Sequence, residues 1–395
     1  MRTGAAYGHV GNFHEAGFYG SDGEFLDLIV PFVTEGLAND EPVLIGYDTR
    51  KCDLLREALP QPSGVHFLVD KTLYSTPARA IEAYRRQFDR YLATGAQQIR
   101  IAGDVPHEGN GGRFAGWDRY EAAVNTVWQR YPVWSRCLYD VTTASDDVRD
   151  VVERTHPRLA TADGEATVSG RYEEIEAFQP LPPGLDPLET RAPAARLVDA
   201  SPEQVRNVVG FHALARIGTT ALEDLLFGVT EAVTNAGLYG ERPTTVSVWA
   251  GPRRVVVRVH DNGGGPTDPL AGLVPATDGK SAAGLGLWLT HQLPHVDVTL
   301  IRGDAGFAVR LRSGQLPGQA TPPAERVAPR AGTERGAPPG RADVHAIDGD
   351  GSSFCGTVDP ANLVELDGLL WPDVDRDQRC ARCQATLHAY GIGFL

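Results

Sequence analysis

The chain has 395 residues, of which 42% are hydrophobic and 22% are charged, a balance typical of soluble globular proteins and enough for roughly two or three domains. Its 37 basic and 51 acidic residues give a net charge of −14, which argues against direct nucleic-acid binding, because phosphate contacts need clustered Lys and Arg. No segment reaches the ~20 apolar residues of a membrane-spanning helix, and no secretory signal is visible. We therefore expect a cytoplasmic protein that binds neither a membrane nor a nucleic acid.

Residues 1–158 alternate between strand-like and helix-like patterns. Short apolar runs predict strands at 42–47, 65–69, 99–102 and 137–139, and amphipathic stretches predict helices at 78–91 and 117–131. This alternation predicts an α/β domain with a mostly parallel sheet, in which ligands bind at the carboxyl ends of the strands. Cys52 and Cys137 lie in apolar or strand-like stretches and are most simply buried thiols.

Polar and aromatic residues recur in this first block, many of them at predicted strand ends. The strings are His14-Glu15-Ala16-Gly17-Phe18-Tyr19, Gly46-Tyr47-Asp48, Gly103-Asp104, Leu138-Tyr139-Asp140 and Thr155-His156-Pro157. Together they resemble the MEDS sensory domain, a RecA-like α/β fold without a phosphate loop, and no phosphate-loop string occurs in the chain. The resemblance implies a small organic ligand, for which we expect a pocket near His14, Tyr19, Tyr47, Asp48, Asp104 and Tyr139. A purely structural, partner-docking role for this domain is the alternative.

A polar, Pro-rich segment at 159–195 predicts a linker, and a second globular block follows at 196–313. Three motifs follow one another in this block. A helix beginning near Thr220 carries Glu231-Ala232-Val233-Thr234-Asn235-Ala236, a strand at 255–259 precedes Asp261-Asn262-Gly263-Gly264-Gly265, and Gly284-Leu285-Gly286-Leu287 opens a helix at 288–293. Two more strands are predicted at 296–301 and 307–311.

Each motif has a chemical use. Glu231 and Asn235 are four residues apart and share a helix face, where their oxygens suit a hydrated Mg²⁺ and supply a candidate base. A carboxylate at a strand end, as at Asp261, can accept a hydrogen bond from an exocyclic amine such as that of adenine. Glycines allow close approach of the backbone, and those at a helix N-terminus present free N–H groups to phosphate.

The order and spacing of these motifs resemble the GHKL (Bergerat) ATP-binding fold, an α+β sandwich shared by histidine kinases, gyrase and anti-sigma-factor kinases. The resemblance implies that Asn235 coordinates Mg²⁺ and that Glu231 orients or deprotonates the attacking hydroxyl. It further implies that Asp261 reads the adenine of ATP. The same resemblance implies that Gly263 and Gly265 act as hinges of the lid. It implies that Gly284 and Gly286 bind the phosphates.

Within that superfamily the block looks most like the anti-sigma-factor serine kinases. The E-A-x-T-N-A string and the short lid match them, and a Pro-rich segment stands where a sensor histidine kinase would have its two-helix phosphoacceptor hairpin. His212 is accordingly expected to be a packing or surface residue. The family often has His four residues after the Asn, and here that position is Tyr239, so nucleotide binding is better supported than phosphoryl transfer.

The C-terminal part divides into a Pro/Gly-rich segment at 314–342, predicted to be disordered, and a short segment at 343–395 that regains apolar residues. Two cysteines in a C-x-x-C pair, with a third Cys and a His, suggest a tetrahedral zinc site. The metal would stabilise the fold of this short segment. The candidate ligands are His345, Cys355, Cys380 and Cys383, with His388 as a substitute for His345. A redox-active dithiol and inert thiols are the alternatives.

The sequence thus predicts a cytoplasmic bacterial regulator in which a sensory domain controls an ATP- and Mg²⁺-binding module. By resemblance, that module sequesters a sigma factor or phosphorylates a Ser or Thr of a STAS-type anti-anti-sigma protein, as a serine/threonine kinase of GHKL type. Such kinases are often dimeric, so a homodimer is one expectation. The alternatives are a sensor histidine kinase-like protein of two-component type and a catalytically inactive ATP-dependent binding module.

Overall fold

The computed structural model describes residues 2–60, 62–68, 75–161, 164–214, 216–275 and 283–314, together with three strands farther along the chain. Two compact units are present. One consists of Met1–Pro183 and Pro266–Gln292, and the other of Gly184–Gly265 and Leu293–Leu395. No helix of the described residues combines the length and the apolar character needed to cross a membrane.

The first unit is built on a seven-stranded sheet with the order β3-β2-β4-β5-β1-β6-β7, parallel except for the last pair. This confirms the predicted α/β domain with a mostly parallel sheet. Its strands are β1 Phe13–Tyr19, β2 Val43–Gly46, β3 Val65–Phe67, β4 Ile99–Gly103, β5 Val133–Asp140, β6 Arg158–Ala160 and β7 Ala166–Val168. Its helices are α1 Asp22–Ala38, α2 Thr49–Ala58, α3 Pro77–Ala93, α4 Trp117–Val127 and α5 Asp146–Thr155.

Helices cover both faces of this sheet, which explains why its central strands read as continuous apolar runs. Side chains alternate along β2, so that Val43 and Ile45 pack with α1 and α2 while Leu44 packs with α3, α4 and α5. Local capping starts the helices where the chain leaves the sheet: the side chains of Asp48 and Thr76 accept hydrogen bonds from the third residues of α2 and α3.

The segment predicted as a linker at 159–195 is instead part of both units. In the first unit it adds β6 and β7 to the sheet, and Ile175 and Phe178 join the buried core beside α5. In the second unit, Asp186 and Glu189 form buried ion pairs with Arg254 and Arg310. The Pro-rich composition indicated a linker, but a few apolar and acidic residues of the segment pack against folded neighbours.

The second unit contains a five-stranded antiparallel sheet with the order β11-β12-β10-β9-β8. Helices α6 Pro202–Ala213 and α7 Thr219–Tyr239 pack on one face, where Val, Leu and Phe side chains form the core. The strands are β8 Ala195–Val198, β9 Thr245–Gly251, β10 Arg254–Asp261, β11 Asp297–Gly303 and β12 Gly306–Gly314. A helix-on-sheet layer of this kind agrees with the expected α+β GHKL domain.

The predicted second block is interrupted by a segment that packs elsewhere. Residues Pro266–Gln292, which include α8 Ala283–Gln292, belong to the first unit. Leu273 is 2% exposed within the aromatic core of that unit, and Arg119 donates hydrogen bonds to the carbonyl oxygens of Pro269 and Ala271, each at 2.9 Å.

The C-terminal part contributes a three-stranded sheet with the order β14-β13-β15, formed by Arg330–Glu334 (β13), His345–Ile347 (β14) and Leu363–Leu370 (β15). Strand β13 falls within the segment predicted to be disordered. Of the predicted zinc ligands, His345 begins β14, whereas Cys355, Cys380 and Cys383 and the substitute His388 lie outside the described residues.

Candidate functional site

Helix α7 carries Glu231 and Asn235 on one face, as their spacing predicted. Both residues are half-buried, and neither side chain forms a hydrogen bond or an ion pair with any residue in the described part of the chain. The helix packs against β10 and β12. A carboxylate and a carboxamide are therefore held on a supported helix with their oxygens available to a ligand.

Asp261 ends β10 and is only 4% exposed. Its Oδ1 accepts hydrogen bonds from the backbone N–H groups of Gly263, at 2.8 Å, and Glu241, at 3.2 Å. Two donors to one oxygen fix the orientation of the carboxylate. Among the described residues none donates to the other oxygen, Oδ2, which is the one left for a ligand.

Two glycines give the backbone room to fold around this carboxylate. A Cβ at Gly240 would lie 2.4 Å from Cγ of Asp261, and one at Gly263 would lie 2.8 Å from its Oδ1. Helix α7 ends at Gly240, whose N–H donates to the carbonyl oxygen of Ala236. The absence of side chains at both positions thus brings the end of α7 against Asp261, so that the first two predicted motifs meet.

Gly265 has a φ of +71°, in the left-handed region, and a Cβ there would lie 2.3 Å from the ring of Phe307. The preceding carbonyl oxygen, of Gly264, accepts a hydrogen bond from Arg302 at 2.8 Å. Both contacts fix the turn after β10 against the β11–β12 hairpin. Only glycine fits at residue 265, which is compatible with a hinge there.

The third motif opens α8, since Gly284 and Gly286 lie in the first turn of Ala283–Gln292. Thr290 donates a hydrogen bond to the carbonyl oxygen of Gly286 at 2.8 Å, one turn along the helix. The motif is therefore at a helix N-terminus, as predicted. It belongs to the segment that packs with the first unit, and its phosphate-binding role stays a prediction.

The residues predicted to form a sensory pocket divide into two groups. In one, Lys51 is 5% exposed, lies 2.9 Å from Asp104, and has its ammonium over the rings of Tyr19 and Tyr47. Desolvation lowers the pKa of Lys51, but the charge of Asp104 and the hydroxyl of Tyr19 more than offset it, and the pKa is raised overall. Asp48 stands at the edge of this group, 4.0 Å from the same ammonium.

The other group surrounds His14 and Tyr139, which are both buried. The hydroxyl of Tyr139 donates a short hydrogen bond to Oε1 of Glu121, and Oε2 of that carboxyl faces the imidazoles of His14 and His156. His14 also contacts the thiol of Cys137. Four ionisable side chains and a phenol are thus packed together in the interior.

Residues 13–157 match the family model of MEDS, the MEthanogen/methylotroph, DcmR Sensory domain, and residues 198–313 match that of the histidine kinase-like ATPase domain. The chain joins a MEDS domain to a histidine kinase-like ATPase domain. None of the curated proteins matches the chain.

One cavity of the MEDS domain, of about 30 Å³, is lined by His14, Asp104, Glu121, Cys137 and other core residues. Of the six residues predicted to form the sensory pocket, His14 and Asp104 line this cavity, and Tyr19, Tyr47, Asp48 and Tyr139 do not. A ligand pocket shared by all six residues stays a prediction.

The residues of the ATPase domain fit a magnesium nucleotide. Glu231 and Asn235 offer hard oxygen donors of the kind that Mg²⁺ prefers, and Asp261 presents one unused carboxylate oxygen beside glycines whose positions leave no room for a side chain. Tyr239 is 65% exposed at the end of α7. His212, on α6, is partly buried, as expected of a packing or surface residue.

Sequence reasoning missed two residues that organise the MEDS interior. Lys51 could have been noticed, because it is one of three lysines in the chain and follows Asp48 by one helical turn. Nothing in the sequence indicates that Glu121 is buried, since a single Glu within an amphipathic helix usually faces solvent.

Proposed function

We propose that this protein is an ATP-dependent signalling regulator of the anti-sigma-factor kinase type. Its ATPase domain would bind ATP with Mg²⁺ and either sequester a sigma factor or phosphorylate a Ser or Thr of a STAS-type antagonist, under the control of the MEDS domain. The observation that carries the proposal is the pair Glu231 and Asn235, free of protein partners among the described residues, on the helix whose end abuts Asp261.

The connection between the two domains favours this type over a sensor histidine kinase. A dimerising phosphoacceptor hairpin needs two long helices ahead of the ATPase domain. Between α5, which ends at Thr155, and α6, which begins at Pro202, the described residues form β6, β7, β8 and a short 3₁₀ turn at Pro187–Thr190.

Each residue of the site has a proposed task. ATP with Mg²⁺ would supply the phosphoryl group. The Asn235 carboxamide oxygen would hold the metal, Asp261 Oδ2 would accept a hydrogen bond from the adenine amine, and the Glu231 carboxylate would take the proton of the acceptor hydroxyl. Phosphoryl transfer depends chiefly on positioning and charge stabilisation, so this small set is sufficient.

Contacts of residues 266–292 support control by the MEDS domain. The described residues on either side of the lid, 266–275 and 283–292, contact the MEDS domain through Arg119, through burial of Leu273, and through a 2.8 Å hydrogen bond from Thr76 to the carbonyl oxygen of His291. A change in the MEDS domain would therefore reach the lid directly.

The test has two parts. Calorimetry of the full chain with ATP and Mg²⁺ should show binding, and radiolabelled ATP should then label a STAS-type protein with acid-stable phosphate. Acid-labile label on the chain itself would instead identify a histidine kinase. Nucleotide binding without any transfer, together with retention of a sigma factor or STAS-type protein in a pull-down, would identify an inactive binding module. Absence of nucleotide binding would refute the proposal.

A further inference from the structure

Four side chains with metal-binding atoms converge inside the MEDS domain from four different elements. They are His14 of β1, Glu121 of α4, Cys137 of β5 and His156, which directly follows α5. One ligand atom from each lies within 4.8 Å of the other three. The side chains of the two histidines and the glutamate are at most 1% exposed. Their burial distinguishes the cluster from acidic groups that meet by chance at a surface.

Hydrogen bonds orient both imidazoles toward the centre of the cluster. Nδ1 of His14 lies 2.9 Å from Oδ1 of Asn125, and Nδ1 of His156 lies 2.8 Å from the carbonyl oxygen of Val152. Asn125 is itself fixed, because its Nδ2 donates to the carbonyl oxygen of Thr155 at 2.7 Å. Since both partners are acceptors, each Nδ1 carries the proton and each Nε2 presents a lone pair. Histidines that bind metals are held in this way.

The atoms at the centre lack other partners. Oε2 of Glu121 lies 3.7 Å from Nε2 of His14 and 3.6 Å from Nε2 of His156, too far for hydrogen bonds. Oε2 of Glu121 and Nε2 of His156 are buried without any hydrogen-bond partner in the described part of the chain. The Cys137 sulfur lies 3.6 Å from Nε2 of His14. Ligands of one tetrahedral zinc ion, with bonds of about 2.0–2.3 Å, are separated by about 3.3–3.6 Å.

The donor set suits a divalent cation. A carboxylate, a thiolate and two neutral imidazoles together would carry two negative charges, which a divalent cation would neutralise. The four donors are brought together by four different elements, and no described cation of the protein lies among them.

We propose that His14 Nε2, Glu121 Oε2, Cys137 Sγ and His156 Nε2 bind one divalent transition-metal ion, with zinc as the best match. Imidazole and thiolate ligands favour zinc and its neighbours over Mg²⁺ or Ca²⁺. The adjoining cavity of about 30 Å³ leaves room for a water molecule beside the ion. This site shares no ligand with the tail cysteines and does not depend on the proposed kinase activity.

The experiment uses the full chain with Cys355, Cys380 and Cys383 replaced by Ser, which removes the cysteine ligands of the predicted tail site. Purified from zinc-supplemented medium, this protein should contain about one zinc ion per chain by elemental analysis. Adding Cys137→Ser should weaken zinc binding by at least about tenfold. Cys52→Ser is the matched control, because Cys52 is a buried free cysteine of this domain outside the cluster, whereas Cys137 is partly buried; it should leave the zinc content unchanged.

Cobalt substitution tests whether Cys137 binds the metal itself or only supports the fold around it. Co²⁺ bound here should show a thiolate-to-cobalt charge-transfer band that is present with Cys52→Ser and absent with Cys137→Ser. If Cys137→Ser does not fold, Glu121→Gln, which keeps the shape and the hydrogen bond to Tyr139, should lower the metal affinity while circular dichroism stays unchanged. The proposal would be overturned if the protein without the three tail cysteines contained no metal. It would also be overturned if the charge-transfer band persisted in the Cys137→Ser variant.

Discussion

The two candidate sites keep their polar residues in opposite ways. In the MEDS domain, Lys51, Asp104 and Glu121 are almost fully buried, and their partners are other buried side chains. In the ATPase domain, Glu231 and Asn235 are half-buried and have no partner in the described part of the chain.

Sheet architecture explains part of this difference. Helices on both faces of the parallel sheet bury polar side chains that lie between the layers, where each needs a partner, whereas α7 packs on one face of the antiparallel sheet and leaves Glu231 and Asn235 partly accessible. Substitutions in the MEDS domain should therefore change stability first, and substitutions in the ATPase site should change binding first.

The largest effect is expected at Lys51. Replacing it by Met leaves the Asp104 carboxylate buried without its cation, and the free energy of unfolding should fall by about 3–5 kcal/mol. Arg50→Ala is the matched control, because the neighbouring Arg50 forms an exposed ion pair with Asp22 that contributes at most about 1 kcal/mol. Denaturant unfolding followed by circular dichroism measures both. Equal losses for the two variants would contradict the burial argument.

Asp261→Asn should affect binding more than stability. The Asn oxygen would still accept from the two backbone N–H groups, but its amide would stand where we propose that Oδ2 accepts from adenine, so ATP affinity should fall about tenfold to a hundredfold. Calorimetry measures the affinity, and Asp304→Asn, at an exposed turn, is the control. An unchanged affinity would remove Asp261 from the nucleotide site.

Asn235→Ala should weaken nucleotide binding only when Mg²⁺ is present, by about tenfold, because we propose that the lost group binds the metal and does not contact the base. Fluorescence titration with a labelled ATP analogue, with Mg²⁺ and with EDTA, distinguishes the two conditions. Thr234→Ala, the exposed neighbour on α7, should behave as the unsubstituted protein does. A loss of equal size in EDTA would show that Asn235 acts without the metal.

The smallest effect is expected at Arg119. Its replacement by Ala removes two hydrogen bonds to the carbonyl oxygens of Pro269 and Ala271, and under the proposed function this would free the segment after Gly265 to respond to nucleotide. We expect ATP to bind about fivefold more tightly, a modest coupling between the domains. Arg86→Ala, which removes an exposed ion pair on α3, is the control. If the affinity is the same in both variants, the lid contacts do not transmit a signal.

Local patterns in the sequence were sufficient for most elements. The predicted strands at 42–47 and 99–102 and the helix at 78–91 agree with β2, β4 and α3 within a few residues, because apolar periodicity directly reports burial. The placement of Glu231, Asn235 and Asp261 on α7 and at the end of β10 was also predictable, since each depends on short-range spacing.

Long-range packing was not predictable. Nothing near Ile175, Phe178 or Asp186 in the Pro-rich segment indicates that they reach folded partners, and nothing in residues 266–292 indicates that Leu273 enters the MEDS core. Only the tertiary structure brings His14, Glu121, Cys137 and His156, which span more than 140 residues of sequence, to one point. The sequence by itself determined most of the elements and the order of the motifs that resemble the two domain families, because periodicity and spacing depend on residues close together in the chain. The tertiary structure decided which buried groups are neighbours, because that depends on strand order and on how helices cross the sheet.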